Sequence, residues 1–306
     1  MCSIAGLLFK GDKPADFGMT TGEALTRMLD ATVHRGPDSA GWALYREPIG
    51  NELRMRFFVG SGESGEGDAE RIRNGLAEQG AEIVDEGILG CTYGARIRFC
   101  GDVQGLYAAM GAVAELVSVG TRLEIVKDVG KPHELAPRYG ILDFDGDHGL
   151  GHTRLATESG VHPDTSHPFW ASGFPDVCCV HNGQVTNYWI MRRRLERQGM
   201  SFQTQNDTEL IAVYLAYKMS QGASLEDALR TSLADLDGTF SYLVATKDAI
   251  GYAKDRLAAK PMVKYENDYL IAIASEEVGL NCLFPGQALD TSEPPPLTYG
   301  LWSRAS

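Results

Sequence analysis

The apolar residues of this 306-residue chain come in short runs separated by turn formers, and none approaches the ~18 residues that span a bilayer. Such a chain must fold from many short strands and amphipathic helices. Residues 2–9 (CSIAGLLF) read as a strand, and 20–32 as a helix with Leu25, Met28, Leu29 and Thr32 on one face. His34 to Gly41 reads as a loop, and 42–45 and 53–59 as strands. The stretch from Gly60 to Asp68 alternates glycine with acid and reads as a linker. Its Gly60-Ser61-Gly62-Glu63-Ser64-Gly65 has dinucleotide-loop spacing, but Glu63, Glu66 and Asp68 would repel a pyrophosphate.

Beyond it, residues 69–146 read as an α+β insertion: helix 69–79, strands 81–88 and 92–100, helix 102–116, strand 122–126. The remainder alternates again. Strands are expected at 148–155 and 177–180, and helices at 186–198, 207–220 and 225–236, the last capped by Ser224. Short strands follow at 239–246, 250–254, 262–266 and 269–274, spaced as hairpins. A stiff Ser292-Glu293-Pro294-Pro295-Pro296 segment leads into the tail. The fold class is α+β.

A net charge of −13, from 28 Lys+Arg against 41 Asp+Glu, argues against a nucleic-acid partner or an anionic membrane surface. Six cysteines without a Cys-x-x-Cys pair supply neither a disulfide scaffold nor a zinc or iron–sulfur ligand set. Reduced thiols and a cytoplasmic location are expected. Asp143 to Asp147 has the acidic spacing of a calcium loop, but His148 stands where it needs glycine and Arg154 where it needs glutamate. His148 and His152 lie four apart on an expected strand and read as structural. No metal site is expected.

Five short motifs carry the chemistry: Met1-Cys2-Ser3-Ile4-Ala5-Gly6, Arg35-Gly36-Pro37-Asp38-Ser39-Ala40-Gly41, Gly151-His152-Thr153-Arg154-Leu155-Ala156-Thr157, His181-Asn182-Gly183-Gln184-Val185-Thr186-Asn187 and Asn206-Asp207-Thr208-Glu209-Leu210-Ile211. In this order they closely resemble the class II glutamine amidotransferases, which use an N-terminal cysteine nucleophile. The resemblance implies a four-layer αββα Ntn-hydrolase sandwich with mostly antiparallel sheets, spanning 2–306 with the 69–146 insertion inside it.

It also implies roles. Cys2 is the nucleophile, and removal of Met1 would place an α-amine of pKa near ~8 beside its thiol as base. Asn182 and Gly183 are the oxyanion donors, although Asn-Gly is also a turn dipeptide. Arg154 suits the substrate's α-carboxylate, which its fork can hold bidentately. Asp207 suits the α-ammonium, and could also cap the helix that follows. Together these select L-glutamine. Arg35 is expected to support the first strand rather than touch substrate, and Asp255, Lys260 and Pro261 to take no catalytic part.

Ser3 departs from the family's usual glycine and would add a side chain near a tight site. No synthase pattern follows the glutaminase pattern, so the ammonia acceptor is expected on another chain. The free-standing glutaminase subunits of glutamate synthase-like complexes, N-methylglutamate synthase included, share this opening and insertion. Their FMN and iron–sulfur clusters belong to the partner subunit. A stand-alone γ-glutamyl amide hydrolase and a catalytically weak binding subunit are the alternative readings.

Overall fold

The computed structural model describes residues 2–60, 62–156 and 160–304. Met1, Ser61 and Thr157, which the sequence motifs include, lie outside the described residues.

Two antiparallel sheets face each other. The first runs in the order β13 (Val263–Glu266), β14 (Leu270–Ala274), β1 (Ser3–Phe9), β8 (His148–Arg154), β2 (Ser39–Tyr45), β7 (Leu123–Val129). The second runs β15 (Thr298–Ser303), β12 (Ala249–Lys254), β11 (Gly238–Ala245), β10 (Cys178–Val185), β9 (Phe169–Trp170). Helices α1 (Thr21–Ala31), α4 (Pro132–Arg138) and α8 (Val278–Asn281) cover the outside of the first sheet. Helices α5 (Tyr188–Glu196), α6 (Asp207–Ser220) and α7 (Leu225–Asp235) cover the second. This is the αββα layering that the motif resemblance implies.

Strand β1 shows why the layers form. All seven residues are buried, because both of its faces are covered. Side chains alternate across a strand, so Ile4 and Leu8 enter the core between the sheets, while Ala5, Leu7 and Phe9 pack under the helices with Leu25, Met28 and Leu29 of α1. The same alternation corrects the expectation for Ser3. Its hydroxyl points to the helix layer and donates to Thr32 Oγ1 at 2.8 Å, away from the face that carries Cys2.

A third antiparallel sheet, β4 (Glu82–Leu89), β5 (Thr92–Arg98), β3 (Glu52–Phe58), β6 (Leu116–Gly120), carries α2 (Glu63–Glu78) and α3 (Val103–Val113). Its elements do not coincide with 69–146. Strand β3 precedes that stretch, and β7 within it belongs to the first sheet. The reason is packing: Met55 and Phe57 of β3 share one continuous core with Ile72, Tyr93 and Met110 and with Ile4 and Leu243 of the main sandwich.

The expected linker at Gly60 to Asp68 is instead largely the first turns of α2. Glu63 and Glu66 complement the positive end of the helix dipole, the Asp68 carboxylate accepts from the Gly60 N–H at 2.8 Å, and a Cβ at Gly65 would collide with the Gly60 carbonyl. The expected helix 102–116 ends at Val113. Ala114 is extended, and β6 starts at Leu116.

Candidate active site

Cys2 sits at the head of β1, where three strands converge. Strand β8 pairs Thr153 with Ser3, so the chain beyond Arg154 passes beside the thiol. The Leu155 N–H lies 3.4 Å from Cys2 Sγ and the Leu155 carbonyl 3.8 Å from it. The Cys2 carbonyl accepts from Arg35 Nε and from Asn182 Nδ2, each at 3.1 Å. Arg35 is itself fixed by Glu276, 2.5 Å away. It therefore braces the first strand, the role read from sequence.

Asn182 arrives from the second sheet. Its Nδ2 also donates to Ser275 Oγ at 3.1 Å. Ser275 accepts in turn from the Ile4 N–H at 2.9 Å, while its own N–H donates to the Ile4 carbonyl. Ser275 thus joins the end of β14, the start of β1 and the Asn182 amide. Neither Ser275 nor Glu276 was legible in any motif; a short polar pair directly after an apolar strand was the only signal. Gly183 follows with φ 134°, a backbone that side-chain-bearing residues rarely adopt. A Cβ there would overlap the Thr239 carbonyl oxygen of the adjoining strand.

Arg154 is mostly buried, with 7% of its surface exposed. Its Nη1 donates to Thr165 Oγ1 at 3.0 Å and to the Gly160 carbonyl at 3.3 Å, which fixes the guanidinium at the end of β8. Asp207 begins α6, but the cap is its neighbour: the Asn206 side chain accepts the Thr208 N–H. Asp207 is thereby released from the capping role. Its Oδ2 accepts the Val185 N–H at 3.1 Å, and its Oδ1 stands 3.4 Å from His181 Nδ1. Burial opposes ionisation of this carboxyl, but His181 and the backbone N–H groups outweigh it and hold it below the usual carboxylate range.

The structure therefore brings Cys2, Asn182 and the Arg154–Leu155 backbone together directly, with Gly183 beside Asn182. Asp207 joins through His181 and Val185 of the same strand. Behind them lie three buried histidines: His152 and His181, which stand in the motifs without an assigned role, and His167, which stands in none. Burial pushes His152 down to about 3, so its ring is neutral near pH 7. It stacks on His167 at 4.0 Å, and Nε2 donates to the His181 carbonyl at 3.3 Å. The backbone that leads into Asn182 is held from behind in this way.

Residues 152–281 match the glutamine amidotransferase domain family. A putative glutamine amidotransferase of Methanothermobacter thermautotrophicus is 38% identical over 304 residues, covering 96% of this chain and 95% of its own. The glutamine amidotransferase-like protein GlxB of Rhizobium meliloti is 37% identical, covering 99% and 98%. Among solved structures, the allosteric regulatory enzyme of purine biosynthesis superposes with a TM-score of 0.60 at 19% identity over 96% of this chain. The glutamine phosphoribosylpyrophosphate amidotransferase of B. subtilis gives 0.58 at 18%. Those two chains are about twice as long, of which this chain covers 45% and 46%, and the likeness shows the fold. Sequence kinship over the whole length, together with this sandwich, makes the chain a member of the class II glutamine amidotransferases.

Proposed function

We propose that this chain hydrolyses L-glutamine to L-glutamate and ammonia through a Cys2 thioester, and hands the ammonia to a partner subunit of the glutamate synthase-like kind, N-methylglutamate synthase being the candidate. The observation that carries the first half is the junction at Cys2, where one residue's carbonyl is gripped by Asn182 and Arg35 while its thiol stays partly exposed beside Leu155.

In this reading the Cys2 sulfur attacks the side-chain amide carbon of glutamine. The α-amine exposed by loss of Met1 takes the thiol proton and returns it to the leaving nitrogen, which departs as ammonia. Water then attacks the thioester, releasing glutamate and restoring the thiol. Asn182 Nδ2 exchanges its contact with the Cys2 carbonyl or Ser275 for the developing oxyanion, and the Gly183 N–H is the second donor. Arg154 holds the α-carboxylate and Asp207, ionised, the α-ammonium. FMN and iron–sulfur clusters belong to the partner chain. The side chain of Ser3, engaged by Thr32 on the far face of β1, leaves the cleft clear and supports an active rather than a weak subunit.

The test is affinity capture of the tagged chain from its own cells, with absorption spectroscopy of the captured material and a glutaminase assay. Glutamine turnover together with a co-purifying flavin spectrum is expected. Turnover without any flavoprotein partner would favour a stand-alone hydrolase, and no turnover in either state would remove the catalytic reading.

A further inference from the structure

The third sheet has one apolar and one charged face. Met55 and Phe57 face the core, and Arg54 and Arg56 therefore emerge on the opposite side. Register places Arg54 directly opposite Arg96, a like-charge pair on neighbouring strands, which is unfavourable without a counter-ion. The next row pairs Gly94 with both Arg56 and Gly87, and Arg56 with Ser118. Two glycines and a serine leave the backbone bare. The result is a cavity of about 280 Å³, floored by Gly87, Gly94 and Ser118 and walled by Arg54, Arg56 and Arg96.

The nearby carboxylates are already taken. Glu124 pairs with Arg46 and Arg56. Glu52 lies 3.1 Å from both Arg96 and Arg98. Glu86 is held by Arg73 and Tyr93. Asp85, largely exposed, approaches only to 3.9 Å of Arg96. Among the described residues, Arg54 has neither a hydrogen bond nor an ion pair. Arg56 Nε is buried without a hydrogen-bond partner, and Arg96 Nε has only its ion pair with Glu52. Burial, aided by Arg46 and Arg96, lowers the proton affinity of Arg54 by more than the nearby Glu124 and Glu52 raise it.

We infer that this hollow is a binding site for a small anion bearing carboxylate or phosphate groups, with Arg54 as its main contact and Arg56 and Arg96 closing around it. Planar guanidinium forks suit both oxyanion types, and a bare glycine floor lets the ligand approach the backbone. The site lies on the third sheet, outside the glutamine-binding residues, and does not rest on the proposed ammonia transfer.

Isothermal titration of the full chain with pyrophosphate and, separately, with citrate tests the inference, alongside Arg54→Gln and the rim control Arg98→Gln. Wild type and Arg98→Gln should bind at least one probe at millimolar concentration or below. Arg54→Gln should bind about 10- to 100-fold more weakly, the worth of one charged hydrogen-bonding group. Binding of pyrophosphate alone identifies a phosphate-bearing ligand, and binding of citrate alone a carboxylate. Without probe, Arg54→Gln should melt no lower than wild type, since it removes a cation with no partner. Three results would overturn the inference: no binding of either probe, unchanged binding by Arg54→Gln, or a clear loss of stability in the probe-free variant.

Discussion

The seam at Cys2 and the hollow on the third sheet both gather charged side chains on antiparallel strands, yet they treat them in opposite ways. At the seam the charged side chains have partners from other elements: Arg35 has Glu276, and Asp207 has His181 and Val185, while the Asn182 amide nitrogen bridges Cys2 and Ser275 and its Oδ1 is left over. In the hollow, arginine faces arginine across β3 and β5, and guanidinium N–H groups are left over. A seam so closed is already shaped for one reaction. A hollow so open has its charges placed before their counterpart arrives. Preorganisation thus takes two forms in one chain, one in which the protein supplies the counter-charges of its own charged groups and one in which it leaves a cation, Arg54, without one.

The contrast can be broken most severely at the thiol. Cys2→Ala should abolish glutamine turnover and leave the melting transition in place, because among the described residues the thiol's hydrogen-bond contacts are with the Leu155 backbone alone. Steady-state assay and thermal unfolding on one preparation decide this; a collapse of the fold would make Cys2 a structural element of the seam. Intact mass should show Met1 removed from active protein, and full activity in protein that keeps Met1 would end the α-amine mechanism.

Next is Asn182→Ala, for which kcat should fall on the order of 10²–10³, about 3–4 kcal/mol, with KM little changed. The Asn182-Gly183 pair lies inside β10 opposite Ser241 and Phe240 and forms no turn, so Asn182→Gly separates oxyanion stabilisation from a merely structural part in that strand. A glycine variant with near-normal kcat would leave Gly183 as the one proposed donor.

A comparable effect on stability, rather than rate, is expected at the border of the hollow. Glu124, with 18% of its side chain exposed, lies between the half-exposed Arg46 and the buried Arg56. Burial alone would raise its pKa, but the two arginines reverse that and bring it from 4.5 to about 2. A carboxyl depressed in this way stabilises the fold fully above its unfolded value, and loses that contribution as pH falls from 4.5 toward 2. Glu124→Ala should cost about 3 kcal/mol near neutral pH, since it strands two cations. It should also lack the part of the acid-induced loss that wild type shows. Urea unfolding at neutral and acid pH measures both, and equal stability of the two proteins at neutral pH would show that the hollow tolerates unpaired arginines freely.

The smallest effect belongs to neither region. Ser224→Ala removes the cap that accepts the Asp227 N–H and should cost about 1 kcal/mol. Its turnover should be unchanged, which makes it a control for variants that act only through stability.

Periodicity and turn chemistry made much of this fold legible. Strands β1, β8 and β11 to β14 lie close to their expected positions, and α6 begins and ends at the expected residues. The failures have local causes. Glycine-rich composition hid the start of α2, whose glycines serve close backbone packing rather than flexibility. Strand β6 continues an apolar run begun by α3, and no breaker marks the change. Helix α4 contains Pro132 and Pro137 and was overlooked for that reason. Strand β15 follows a proline run that read as tail.

At the site, motif resemblance named Cys2, Asn182, Gly183, Arg154 and Asp207 but not the contacts that join them. Ser275 lies 271 residues from its partner Ile4 in sequence, and contacts of that span leave no local pattern. The arginine hollow was equally invisible, because Arg54 and Arg96 become neighbours only once β3 and β5 are in register.

The position of β1 between β8 and β14 has a consequence for the chain while it is being made. Strand β1 can complete its hydrogen bonds only after Leu270–Ala274, about 260 residues later, has emerged. Ser275, which pins both Ile4 and the Asn182 amide, comes immediately after. Until then the opening segment is an apolar strand without neighbours, exposed to wrong pairing and in need of shielding. The Cys2 thiol proposed as nucleophile therefore gains its setting only once Ser275 has emerged, and a chain not yet made that far carries the thiol without the residues that frame it.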